Sequence, residues 1–95
     1  MRTPIHPGEM LAEELEARSL SAAALARAIG VPANRVTQIL KGRRAVTADT
    51  SLRLGRVFSM SPTFWLNLQK TFEIDTARLE CGEEIEKIQP LERVA

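Results

Sequence analysis

Residues 20–42 read L-S-A-A-A-L-A-R-A-I-G-V-P-A-N-R-V-T-Q-I-L-K-G, and this run decides the fold. Ser21 offers the side-chain oxygen that a helix N-cap needs, and Leu20 and Leu25 stand at the two positions of a hydrophobic staple. Ala22, Ala23, Ala24, Ala26 and Ala28 make the following helix thin, so a neighbour can cross it closely while Leu25 and Ile29 point inward. Gly30 supplies the stop. A further helix is expected from about Pro32 to Lys41, with Val36, Ile39 and Leu40 on one face and Asn34, Arg35, Thr37, Gln38 and Lys41 on the others. Gly42 closes it.

Two short helices joined by a glycine turn have helix-turn-helix geometry, here over residues of about 21–42. Outward from this pair, start and stop signals mark three more helices and no strand-like alternation, so the predicted fold class is all-α. The first helix begins at Pro7, where a missing N–H costs nothing; Ile5 staples onto Met10, and Met10, Leu11 and Leu15 form the buried face. Thr47 caps a fourth helix whose apolar residues are Leu52, Leu54, Val57 and Phe58. Ser61 and Pro62 supply N-cap and first residue for a fifth, with Met60 and Trp65 as a staple. Phe64, Trp65, Leu68 and Phe72 continue it as an apolar stripe directed towards Leu79 and read as core, with a share in a dimer contact. Residues 7–72 are thus the expected domain, and 73–95 an acidic C-terminal extension that takes part in a dimer interface.

A chain of 95 residues supports one core. The lone cysteine, Cys81, cannot close an intrachain disulfide, and the N-terminus has no apolar signal region, so a cytoplasmic protein is expected. No run approaches the apolar length of a membrane span. His6 and Glu9 are half of a metal-ligand pattern that nothing else completes, which leaves His6 as a turn residue and predicts no metal and no cofactor. Glu13, Glu14 and Glu16 read as a solvated helix face rather than as paired carboxylates. With one histidine, one cysteine and no phosphate-cradling glycine loop, the chain is not expected to be an enzyme.

The net charge of +1 conceals a block. Between residues 35 and 56, Arg35, Lys41, Arg43, Arg44, Arg53 and Arg56 stand against Asp49 alone, a local charge of +5 flanked by segments of −1 and −3. Such a block on an isolated surface is usually a solvated face, but on a helix-turn-helix it marks a polyanion contact. A helix fits the major groove of DNA, and amide side chains suit bidentate adenine contacts. The candidate DNA-binding residues are therefore Asn34, Arg35, Thr37, Gln38, Lys41, Arg43 and Arg44.

With these residues in place, the chain resembles the XRE (Cro/repressor-like) helix-turn-helix superfamily. I-H-P-G-E-M-L at 5–11, K-G-R-R-A-V-T-A-D-T at 41–50, L-R-L at 52–54 and S-P-T-F-W-L-N-L-Q at 61–69 resemble HigA-type antitoxins in particular. The resemblance implies a five-helix domain presenting its third helix to DNA. It also implies an antitoxin that binds a small ribonuclease toxin and, as a homodimer, represses its own operon at an operator. Two positions depart from the pattern: Ala22 where many relatives carry Gln, and Pro32 where a capping Ser is common. A stand-alone repressor shares every DNA-binding feature, and a protein-interaction module without specific DNA binding is the reading from another class.

Overall fold

A computed structural model describes residues 2–92. Five α-helices follow one another: α1 (Pro7–Ala17), α2 (Ala22–Ile29), α3 (Ala33–Leu40), α4 (Ala48–Phe58) and α5 (Phe64–Glu86). No strand occurs among the described residues. α3 lies against α2 and α1, α5 against α4 and α1, and α2 touches α4. One core results, from Leu11, Leu15, Leu25, Ala26, Ile29, Val36, Ile39, Val46, Leu54, Phe58 and Trp65.

Local chemistry explains most of the helix ends. The Ser21 hydroxyl accepts from Ala24 N–H at 3.1 Å, and the Thr47 hydroxyl accepts from Thr50 N–H at 3.3 Å. The His6 ring caps α1: its Nδ1 accepts from Gly8 N–H at 2.9 Å, while its edge meets Phe72 at 5.0 Å between centroids. Gly30 and Gly42 end α2 and α3 with φ of 73° and 71°, a conformation that costs glycine nothing. α3 starts at Ala33, with Pro32 as its extended N-cap and no side-chain cap bond.

Three expectations need correction. Met10 stands on the expected buried face of α1 and Leu52 among the apolar residues of the fourth helix, yet they are 36% and 58% exposed, because α1 and α4 turn narrower apolar faces inward than their composition suggests. Thr50, Ser51 and Gly55 take the buried positions of α4 instead. The third concerns α5, which starts at Phe64 rather than at Pro62; Ser61 and Pro62 belong to the turn before it. Ser51 is the cause: its hydroxyl donates to the Pro62 carbonyl at 2.8 Å and accepts from Leu66 N–H at 3.0 Å. A part-buried tertiary hydrogen-bond pair outweighs a local N-cap signal. With the start displaced, the Met60–Trp65 staple is not formed as such, although both residues pack against the core.

α5 runs through residue 72 without interruption and ends at Glu86. At roughly 1.5 Å per residue it projects well past the core. The radius of gyration, 16.8 Å, exceeds the roughly 12 Å of a compact chain of this length accordingly. Its distal turns carry exposed Ile74, Leu79 and Ile85. Arg93, Val94 and Ala95, the end of the expected C-terminal extension, lie outside the described residues. Among the described residues no helix is long and apolar enough to cross a membrane, and no group of three His, Cys, Asp or Glu is placed to hold a metal ion.

Candidate nucleic-acid interface

Val36 and Ile39, each 1% exposed, fix the inner face of α3. That anchoring decides which residues look outward. Asn34 and Lys41 are exposed at the two ends of the helix, with Thr37 and Gln38 half-buried between them, so the spacing of three and four residues forms one stripe. The Thr37 hydroxyl donates to the Asn34 carbonyl at 3.3 Å and is thereby oriented within the stripe. Beyond Lys41 the chain reverses at Gly42: Arg43 N–H donates to the Gln38 carbonyl at 2.8 Å and Gly42 N–H to Ile39 at 2.9 Å, a Schellman arrangement that satisfies the helix end. Arg43 and Arg44 follow directly, both exposed.

The loop carrying them is anchored by residues that the sequence does not single out. Val46 is 2% exposed, and its N–H donates to Gln69 Oε1 at 2.9 Å. Gln69 is itself buried and donates from Nε2 to Glu73 at 2.9 Å. Thus α5 holds the basic loop by an amide side chain bonded at both its oxygen and its nitrogen. That hydrogen bond from Gln69, followed by one from Lys70, holds the Glu73 carboxyl below its ordinary value of 4.5.

Arg35 differs from the other six candidates. Its Nη1 donates to Asp49 Oδ2 at 2.9 Å, so the structure brings it to α4 rather than leaving it on the outward stripe. Asp49 also accepts from Arg53 Nε at 3.0 Å, and Arg53 Nη1 reaches the Ile29 carbonyl at 2.6 Å at the end of α2. In the sequence Arg53 and Asp49 are legible only as charges in a basic segment; beside their own i, i+4 pairing, the Arg35 and Ile29 partners lie in α3 and α2. The Arg53 hydrogen bond first, and Arg35 after it, hold the Asp49 carboxyl below its usual 3.8.

The sign of that shift makes a prediction. A carboxylate with a depressed folded-state pKa stabilises the fold above its unfolded value, and that contribution disappears as pH falls through the lower folded value. A carboxyl titration followed by NMR is expected to place the Asp49 midpoint below 3.8 and to move it upward in Arg53→Ala. A midpoint at or above 3.8 in the wild-type chain contradicts the ion-pair geometry.

The helix-turn-helix family matches residues 11–65. Antitoxin HigA-1 of Vibrio cholerae serotype O1 is 35% identical over 95% of this chain and 86% of its own length. Among solved structures, an addiction module antidote protein of the HigA family from Coxiella burnetii superposes with a TM-score of 0.89 and 50% identity, over 96% of this chain and all of that one. The antitoxin HigA of Pseudomonas aeruginosa, solved with the higBA promoter, gives 0.88 and 44% identity over 95% and all of the respective chains. The arrangement of α2 and α3, the five-helix fold and these relatives together place the chain in the XRE-type helix-turn-helix family, among the HigA-type antitoxins.

Proposed function

We propose that this chain is the antitoxin of a type II pair: it binds a small ribonuclease toxin and, as a homodimer, represses its own operon by placing α3 in the major groove of operator DNA. The observation that carries the DNA-binding half is the outward stripe of α3, held by buried Val36 and Ile39 and continued by exposed Arg43 and Arg44. The relatives support it, since one was solved with its promoter and others are named antitoxins. Asn34, Thr37 and Gln38 have base-reading chemistry, and Arg43 and Arg44 have phosphate-holding chemistry at the groove edge, with Lys41 assigned to phosphate as well. The toxin-binding half rests on family membership alone, and no residue is assigned to it. Nothing in this function asks the chain to catalyse a reaction. Two copies related by a two-fold axis require an inverted-repeat operator with half-site centres about 34–36 Å, or a multiple, apart.

The test separates readers from holders. Gln38→Ala is expected to cost about 1–3 kcal/mol at the operator and to relax preference at one base position. Arg43→Ala is expected to weaken operator and scrambled duplexes about equally and to flatten the plot of log K against log salt by roughly 1 per half-site. The measurement is a salt titration of each variant with folding checked by circular dichroism. If both folded variants keep wild-type operator affinity, the assigned surface is wrong. Co-purification with the product of an adjacent toxin reading frame tests the other half independently.

A further inference from the structure

Arg35 stands in the first turn of α3, the end of a recognition helix that reaches base edges, where an arginine is within reach of the flanking phosphates unless another anion holds it. Asp49 is such an anion. Its Oδ2 accepts from Arg35 Nη1 at 2.9 Å and from Arg53 Nε at 3.0 Å, so a single carboxylate oxygen joins the first turn of α4 to the first turn of α3. Arg53 carries the connection to the end of α2 through its bonds to the Ile29 and Gly30 carbonyls at 2.6 and 3.5 Å. An isolated surface ion pair is a weak tether. Here two guanidiniums share one acceptor and one of them continues to backbone, so each side chain restricts the rotamers of the next. The Arg35 side chain is 29% exposed, less than the 41% and 56% of Arg53 and Asp49, although its residue neighbours on α3 include the exposed Asn34. Arg44 lines the same shallow groove between α3 and α4, and no second carboxylate lines it.

Taking the DNA-binding reading of α3 as its basis, we propose that Asp49 is a positioning residue for DNA recognition: it withholds Arg35 from phosphate and so acts as a brake on sequence-independent binding. A released Arg35 adds a phosphate contact that carries no sequence information. Its gain falls most on random DNA, where charge supplies nearly all the affinity; at the operator, part of the gain is offset because the tie that orients α3 is lost. The brake thus raises the preference for the operator without touching a base.

The experiment is a salt titration of binding to operator and scrambled duplexes by wild type, Asp49→Asn and the double variant Asp49→Asn/Arg35→Ala. Asp49→Asn is expected to bind scrambled DNA several-fold more tightly, to steepen its log K against log salt slope by about 1 per protomer, and to lower the operator-to-scrambled ratio. The double variant is expected to lose that steepening, since the new contact belongs to Arg35. If the steepening persists without Arg35, simple removal of a negative charge accounts for it and the proposal is overturned. It is overturned equally if Asp49→Asn weakens both duplexes with an unchanged slope, which is the signature of a purely structural role. Asp49→Ala is read in the same way and carries the test if the amide variant melts early. A wild-type chain that binds operator and scrambled DNA alike defeats the operator-recognition reading itself, whereas a discriminating wild type with an unaltered variant defeats only the role of Asp49.

Discussion

Trp65→Ala is expected to remove about 3–5 kcal/mol of folding stability. Trp65 is the largest fully buried side chain, 0% exposed, and it faces α4 from the first turn of α5. Phe58 and Phe64 pack on it at centroid distances of 6.0 and 5.4 Å, in tilted and edge-on arrangements. Truncation forfeits both the transfer free energy of the indole and the contacts of the wall around the resulting cavity. A small domain has about 5–15 kcal/mol in total, so the loss removes a large share of its stability. Urea unfolding followed by circular dichroism measures it, because the sole tryptophan fluorophore is gone. Trp65→Phe is the informative companion. The indole Nε1 meets no acceptor among the described residues, so the phenyl ring loses volume but no hydrogen bond and is expected to cost much less. Equal losses in the two variants refute the cavity argument.

Gly8→Ala is expected to destabilise by about 3 kcal/mol, the upper end of what overpacking costs. The usual sign is the reverse, since alanine inside a helix is worth about 0.5–1 kcal/mol more than glycine. At this position a Cβ overlaps the Ile39 carbonyl oxygen and crowds its carbon at 3.0 Å and the His6 ring at 3.1 Å. Backbone cannot move aside as a flexible side chain can. α1 therefore meets the C-terminal turn of α3 at van der Waals contact only because residue 8 has no side chain, and the same substitution displaces the reversal at Gly42 that delivers Arg43 and Arg44. Thermal melts and operator titrations of Gly8→Ala are expected to show losses in both; a stabilised or neutral variant contradicts this packing.

Signals that act within one turn of helix were legible in the sequence. Ser21, Thr47, Gly30 and Gly42 mark ends where the structure has them, because capping and left-handed closure depend on the residue itself. Other helix ends were not. Ser19 and Ser59 adopt φ of 50° and 55° without being glycine, and neither was recognisable as a stop. Leu20 N–H to Leu15 and Met60 N–H to Gly55, at 2.9 and 2.8 Å, close those helices in the pattern seen after α3. The start of α5 is tied to Ser51 in the preceding helix, 11 to 15 residues away and beyond the reach of any local rule.

At the candidate interface, helical spacing groups Asn34, Thr37, Gln38 and Lys41 on one side of α3, but composition says nothing about which cations already have partners. By charge and position Arg35 reads like the other candidate residues, and Asp49 enters only as a deduction from net charge; 14 residues separate the pair in sequence. Gln69 and Asp75 lie on the buried side of an otherwise apolar stripe, and polar residues at those positions were the available sign of buried hydrogen bonding. Asp75, 5% exposed, is met by Arg2 at 3.0 Å, 73 residues away, a contact that no periodicity encodes.

The projecting end of α5 has a thermodynamic consequence. From residue 77 to 86 every position except Gly82 is exposed, so these turns draw on their own hydrogen bonds and not on the core. A helical segment shorter than about 12–15 residues is marginal in water without packing. One continuous helix is accordingly expected to behave as two cooperative units, with backbone amides near Trp65 and Gln69 exchanging on opening of the whole domain and those beyond Thr76 by fraying, which native-state hydrogen exchange checks. A surface that captures Ile85 and its neighbours must order those turns as it binds, so helix completion and complex formation are linked by mass action. Added amide protection in the last three turns is therefore the expected gauge of any such capture.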